Sequence, residues 1–273
     1  MPEGPEIRRA ADRIEKQLTQ GIIEDAWFAF DELKDYPPRL IGQQVEKVET
    51  RGKAMLVRFS NQHVLYSHNQ LYGVWKCHAA DKEPVTRRSL RARLVVNGRA
   101  ASLYSASDIS MWHVDRLAEH PFLARLGPDL LSQSVGEEHI AQRLNDRLFH
   151  RRGLGGLLLD QGFVAGLGNY LRSEVLFFAG LSPRKRPCDL NDAERVHLAH
   201  YILALTWQAY RTAGVTNCPE WIEKAKSMGE SRRQWRFSVF ERQGLPCHRC
   251  AASLEKINVA SRRLYFCPQC QSM

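Results

Sequence analysis

The sequence predicts an α+β protein of two domains: an N-terminal half rich in strands and a C-terminal helical half that ends in a cysteine-rich hairpin. Three observations carry this expectation. The texture changes near residue 126 from short β-like runs to helical spacing, two matched Cys-x2-Cys pairs stand close to the C-terminus, and positive charge gathers in the same tail. At 273 residues with 44% hydrophobic content, the chain can bury a sizeable core in more than one unit.

Ile7, Ala10, Ala11, Ile14 and Leu18 recur at helical spacing, which predicts an amphipathic helix over 5–19. Short runs follow at 22–30, 54–59, 63–68, 72–77, 91–96 and 101–105, divided by Gly, Asn, Asp or Pro clusters. They suit a sandwich or a barrel. The stretch 126–131, with Gly127 and Pro128 as breakers, reads as a linker. Helices are expected at 137–148, 155–163, 169–179 and 192–212, with a Gly-rich turn at 164–168. A short helix is expected around 219–227 within the polar, mixed stretch 213–234. No stretch reaches the roughly 18 apolar residues of a membrane span, and the charged first twenty residues do not fit a secretory signal, so a cytoplasmic location is expected.

Lys and Arg total 39 against 30 Asp and Glu, a net charge of +9. Residues 231–273 hold seven Arg and one Lys against Glu241 and Glu255, a net +6. A basic module of this kind favours a polyanion, with nucleic acid ahead of an anionic membrane. Cys247-x2-Cys250 and Cys267-x2-Cys270 have the four-thiolate zinc spacing, so one structural zinc is expected. A closed shell of four thiolates leaves no open position for a substrate, and His248 is not needed as a ligand. Cys77, Cys188 and Cys218 are left over as reduced, mostly structural thiols. Ser261, Arg262 and Arg263 are expected on the hairpin between the pairs, suited to a phosphate backbone.

The chain opens Met1-Pro2-Glu3-Gly4-Pro5-Glu6. Removal of Met1 would leave Pro2 with a secondary amine that titrates near ~8 and is nucleophilic at neutral pH. From physics alone, the plainer reading is that Pro2 and Pro5 begin a helix whose dipole Glu3 and Glu6 favour.

The motifs taken together reverse that balance. The start MPEGPEIRR, the RGKAML run at 51–56, GLGNYLRSE at 166–174 and the terminal four-cysteine finger occur in one order along the whole chain. In this the sequence resembles the formamidopyrimidine-DNA glycosylase and endonuclease VIII family. Its opening and the SHNQLYG segment at 67–73 are similar to the endonuclease VIII branch. The resemblance implies an N-terminal β-sandwich with flanking helices (1–125), a helix–two-turn–helix region (126–234) and a zinc-finger hairpin (235–273). Double-stranded DNA with an oxidised or abasic nucleotide would bind a monomer in a cleft between the domains, its damaged base flipped out.

By the same resemblance, Pro2 is the Schiff-base nucleophile and Glu3 the acid that helps open the sugar. Lys53 assists β-elimination, and Arg262 acts in δ-elimination. Gln70, Leu71 and Tyr72 form an intercalating wedge, Arg125 binds DNA in the linker region, and Asn169 holds a phosphate at a helix start. The family expectation is excision of oxidised pyrimidines. Oxidised purines, or a zinc-ribbon DNA-binding regulator without catalysis, are the alternatives. Residues 215–235, around Cys218-Pro219-Glu220-Trp221, depart from the family pattern and put base specificity in question.

Overall fold

The computed structural model describes residues 2–272, and Met1, whose removal the Pro2 chemistry requires, lies outside the described residues. The chain divides into two compact units, residues 1–125 and 126–273.

In the first unit, helix α1 (Gly4–Leu18) turns Ile7, Ala11, Ile14 and Leu18 inward, as its periodicity requires. It packs chiefly on β2 and also touches strands of the other sheet. After β1 (Ile23–Phe28) and the one-turn helix α2 (Pro37–Leu40) come β2 (Val45–Arg51), β3 (Ala54–Phe59), β4 (His63–His68), β5 (Val74–Ala79), β6 (Leu90–Val96), β7 (Arg99–Tyr104) and β8 (Asp108–His113). They form two four-stranded sheets in the orders β1-β6-β7-β5 and β2-β3-β4-β8. Their antiparallel strands enclose the expected sandwich core.

The expected strand at 22–30 is shorter than the run suggests, and the run at 72–77 begins two residues later, because Tyr72 and Gly73 belong to the preceding turn. Strand β3 is apolar except at Arg58, which pairs with Glu49, because both its faces are covered. Met55, Val57 and Phe59 enter the sandwich core, while Ala54 and Leu56 meet Val64, Tyr66 and Leu117 on the other side.

In the second unit, α3 (Glu137–Asn145), α4 (Leu154–Leu157), α5 (Asn169–Ala179), α6 (Asp192–Arg211), α7 (Pro219–Ser227) and α8 (Arg232–Trp235) precede the hairpin β9 (Glu255–Val259) and β10 (Arg262–Phe266). Helix α3 stops three residues before the expected end at 148. The helix expected over 155–163 is the single turn α4. A Cβ on Gly155 would lie 3.1 Å from the Pro183 carbonyl oxygen and 3.2 Å from Leu264 and Val259 side-chain atoms, so α4 is where the hairpin rests. Asn191 caps α6: its side chain accepts from the Glu194 amide at 2.9 Å while the Glu194 carboxylate accepts from the Asn191 amide. The finger shares the core of this unit, with Leu254, Leu264 and Tyr265 packed among the residues of α5 and α6.

Cys77 and Cys188 are exposed and Cys218 half-buried, which corrects the expectation that the leftover thiols are mostly structural. Among the described residues, no helix is long and apolar enough to cross a membrane.

Candidate active site and nucleic-acid interface

Glu3 is the N-cap of α1 and only 1% exposed, so its carboxyl sits in a largely water-free setting beside Pro2. Its backbone N–H donates to Oε2 of Glu6 at 2.9 Å. Lys53 follows Gly52 in the two-residue turn joining β2 to β3. Gly52 has φ +60°, the left-handed region where a side chain is strained. Next to Lys53, Ala54 pairs across the sheet with His68, the last residue of β4. This brings the RGK turn to the strand end from which Gln70, Leu71 and Tyr72 emerge.

Gln70, Leu71 and Tyr72 form an exposed turn, with Leu71 61% and Tyr72 69% exposed. The turn is anchored from beneath. The Gln70 amide donates to His68 Nδ1 at 3.0 Å, Ser107 Oγ donates to Gln70 Oε1 at 2.9 Å, and Arg88 donates to the Tyr72 carbonyl oxygen. Burial holds the His68 pKa below the ordinary histidine value; the Lys53 charge adds to that and Asp108 opposes it. His68 lies inside the SHNQLYG segment and Ser107 just past the run at 101–105, yet no spacing marks either as a support of this turn. Arg125 ends a short 3-10 turn, where its Nε donates to the Pro121 carbonyl oxygen at 2.8 Å.

In the second unit, Gly168 is the N-cap and Asn169 the first residue of α5, one position inside the helix rather than its cap. Two charged residues of α5 that sequence reading passed over are wholly buried. Glu174 accepts from the backbone N–H groups of Ser238, Val239 and Phe240 at 2.8–2.9 Å and from Thr216 Oγ1 at 2.7 Å. It thereby ties Thr216 to the stretch Ser238–Phe240, across the segment 215–235. Arg172 reaches Asn169 and the finger hairpin. The signal was available, because charges inside the apolar run YLRSEVLFFA are costly to bury unless they are paired.

At the finger, Ala260 and Ser261, both with positive φ, make the turn. Arg262 begins β10, paired with Val259, so it stands beside the tip rather than at it. The four cysteine Sγ atoms lie within 4.8 Å of one another. Tetrahedral zinc with Zn–S near 2.3 Å needs sulfurs about 3.8 Å apart. Cys247 and Cys270 stand at 3.9 Å and Cys250 and Cys267 at 3.4 Å, so the residues fit one structural zinc. The Arg249 and Cys270 amides point at the sulfurs of Cys247 and Cys267, as knuckles around thiolates require. His248 is not in this cluster; its ring stacks on Trp221 at 4.9 Å.

A sandwich with a Pro-Glu helix start and an RGK turn, together with a helical unit closed by a four-thiolate hairpin, defines a bifunctional base-excision DNA glycosylase. Residues 1–108 match the formamidopyrimidine-DNA glycosylase N-terminal domain, 126–217 its H2TH domain, and 244–272 the zinc finger found in FPG and IleRS. The chain belongs to the formamidopyrimidine-DNA glycosylase family, whose members are DNA glycosylases and AP lyases. It is 47% identical over 272 residues to Endonuclease 8 of Pectobacterium atrosepticum, covering all of both chains. It is 48% identical over 271 residues to Endonuclease 8 of Escherichia coli, covering 99% of this chain and all of the relative. Among solved structures, it is similar in fold to Lactococcus lactis formamidopyrimidine-DNA glycosylase in two complexes, each 21% identical. One is with DNA containing an AP site (TM-score 0.80, 99% of this chain and 100% of that one). The other is with DNA containing an oxidised pyrimidine (TM-score 0.82, all of both). Residues 218–243 fall between the matched segments.

Proposed function

We propose that the chain removes oxidised pyrimidines from double-stranded DNA and cuts the strand at the resulting abasic site by successive β- and δ-elimination. The full-length likeness to Endonuclease 8 carries this reading, and the N-terminal site supplies its chemistry.

With Met1 removed, the Pro2 amine attacks C1′ of the damaged nucleotide. The bond to the base breaks, and a cationic iminium forms as an electron sink. Glu3, held dry at the adjacent position, delivers the proton that opens the sugar. Lys53 serves β-elimination: a proton leaves C2′ and the C3′–O bond breaks, its electron pair departing with the phosphate. Arg262 serves δ-elimination: a proton leaves C4′ and the C5′–O bond breaks, the guanidinium meeting the charge that develops on the second phosphate. Gln70, Leu71 and Tyr72 fill the space of the flipped base, while Asn169 and Arg125 hold phosphates. The zinc, held by Cys247, Cys250, Cys267 and Cys270, keeps the hairpin folded and takes no part in the reaction. The finger (235–273) works as a DNA-gripping module, the protein acts as a monomer, and its place is the cytoplasm, on DNA.

Selectivity rests on how readily a damaged pair unstacks, because Pro2 attacks the sugar and is indifferent to the base. A pyrimidine that has lost ring planarity stacks poorly and flips at lower cost. A panel of duplexes tests this: thymine glycol should be cut well, 8-oxoguanine opposite cytosine poorly, and undamaged DNA not at all. Borohydride should trap a covalent protein–DNA adduct. Faster turnover of 8-oxoguanine than of thymine glycol would move the substrate to oxidised purines.

A further inference from the structure

Arg172 has no solvent exposure and heads the large side chains so enclosed. Its Nη1 donates to the carbonyl oxygens of Gly155 at 2.7 Å and Val259 at 3.2 Å. Its Nη2 donates to Asn169 Oδ1 at 2.7 Å and to the carbonyl oxygens of Arg263 at 3.1 Å and Arg262 at 3.3 Å. These acceptors belong to three separate pieces of chain: the turn α4, the first residue of α5, and both strands of the finger hairpin on either side of its Ala260–Ser261 turn.

A buried guanidinium is costly, and a well-packed apolar side chain of similar volume would fill the same space more cheaply. The arginine is therefore to be understood through what it holds. Two consequences bear on the reaction. Asn169 has its oxygen turned inward to Arg172, which leaves its NH2 group directed away as a donor. The carbonyl groups of Arg262 and Arg263 are fixed at the start of β10, so the Arg262 side chain departs from a defined point. A planar fork of donors can span such a set of acceptors, whereas a point-like ammonium cannot.

We propose that Arg172 is a positioning residue for strand cleavage: it locks the Asn169 amide as an outward donor and sets the hairpin register from which Arg262 meets the departing phosphate. The proposal rests on assigning δ-elimination to Arg262. It concerns that step, in which the C4′ proton is lost and the C5′–O electron pair leaves with the phosphate.

The test uses the full-length zinc-loaded protein on a duplex with one abasic site. Zinc content, the rate of borohydride trapping and the ratio of δ- to β-elimination products are measured for Arg172→Met, Arg172→Lys, Arg262→Ala and the Arg172→Met/Arg262→Ala pair. Arg172→Met should retain one zinc, and its δ-to-β ratio should fall by roughly tenfold more than its trapping rate, since small misplacements of an aligned group cost that much or more. Arg172→Lys should recover only part of the ratio, and the double variant should be no worse than Arg262→Ala. A normal ratio in Arg172→Met, or losses that multiply in the double variant, would overturn the proposal. Should Arg172→Met lose its zinc, Arg172→Lys decides, and an unchanged ratio there counts against it. A lowered ratio in Arg262→Ala beside a normal one in Arg172→Met defeats this proposal alone. An unchanged ratio in Arg262→Ala defeats the assignment beneath it.

Discussion

The Glu3 backbone N–H donates to the Glu6 carboxylate at 2.9 Å, tying the residue beside Pro2, the proposed nucleophile, to the first turn of α1. The capping contact of Glu6 thus bears on the residue to which the proposed mechanism gives the proton transfer. Glu6→Ala should cost the fold about 1 kcal/mol, the usual loss for a cap. It should slow borohydride trapping by roughly tenfold, because the Pro2–Glu3 segment loses its fixed geometry. Thermal unfolding and single-turnover trapping separate the two effects, and a stability loss with normal trapping would confine Glu6 to the helix. Acetylation of Pro2 should leave folding intact and eliminate trapping, since an amide has no nucleophilic lone pair. Trapping that survives the block would point to Lys53 as the nucleophile.

Zinc should bind at one ion per chain. Cys267 is fully buried in the core shared by α5, α6 and the hairpin, so Cys267→Ala should release the metal and loosen the second unit. The sandwich has its own core and should keep its cooperative unfolding. Structural zinc contributes on the order of 10 kcal/mol to small modules, so the effect should be plain in metal analysis and in proteolysis of the second unit. DNA affinity should fall with it. Chelation that leaves both affinity and incision intact would contradict a structural role.

How much of this was legible in the sequence depended on regularity. Helix α1 shows an uninterrupted 3.6-residue pattern and was placed within a residue of its ends. Strand β2 escaped notice because the register with β3 shifts between Val45 and Lys47. Its buried residues, Val45 and Val48, therefore stand three apart instead of two. Strand β8 is half-buried at every position and shows no alternation to detect. The run 155–163 is largely apolar because Gly155 lies against the hairpin while Leu157, Leu158 and Phe163 enter the core of the unit, and burial of that kind resembles a helix in sequence. The zinc ligands and the N-terminal motif stood out because their chemistry is local. Ser107, Arg172 and Glu174 act through partners distant in the chain, which no spacing rule records, and His68 through a turn amide whose geometry the sequence does not show.

The bond from the Gln70 amide to His68 Nδ1 requires a neutral ring, because a protonated Nδ1 cannot accept. Burial lowers the folded pKa of His68 below its unfolded value. The unfolded state then takes up more protons between those two values, so the stabilisation is intact above the ordinary histidine range, near 6.5, and is lost as pH falls below it. His120 adds to this in the same direction: its pKa is also lowered by burial, and its Nδ1 accepts from the Phe122 amide. The first unit should therefore lose stability as pH drops from about 7 to about 5. Replacing His68 by Asn, which accepts without titrating, should flatten that dependence, and chemical unfolding at several pH values reads it out. An undiminished pH slope in His68→Asn would assign the effect to other groups.

Leu71 and Tyr72 separate function from folding most sharply. Large apolar side chains at 61% and 69% exposure contribute little to the core, so Leu71→Ala should change stability by no more than about 0.5 kcal/mol, as for most surface positions. A wedge acts at another moment, when a flipped base leaves a gap that an apolar group fills at the expense of unstacking. Leu71→Ala should therefore slow excision from intact lesion-bearing duplexes by roughly tenfold or more, the equivalent of 1.4 kcal/mol in a barrier. Single-stranded DNA bearing the same lesion has no opposing stack to separate, so its cleavage should be affected far less. Tyr72→Ala should follow the same pattern, while Ser107→Ala, which removes the donor to the Gln70 side-chain oxygen, should give a smaller loss confined to duplexes. The decisive quantity is the ratio of duplex to single-strand rates under single-turnover conditions. Equal losses on both substrates would mean that Leu71 serves the reaction itself, or the fold, rather than opening the helix.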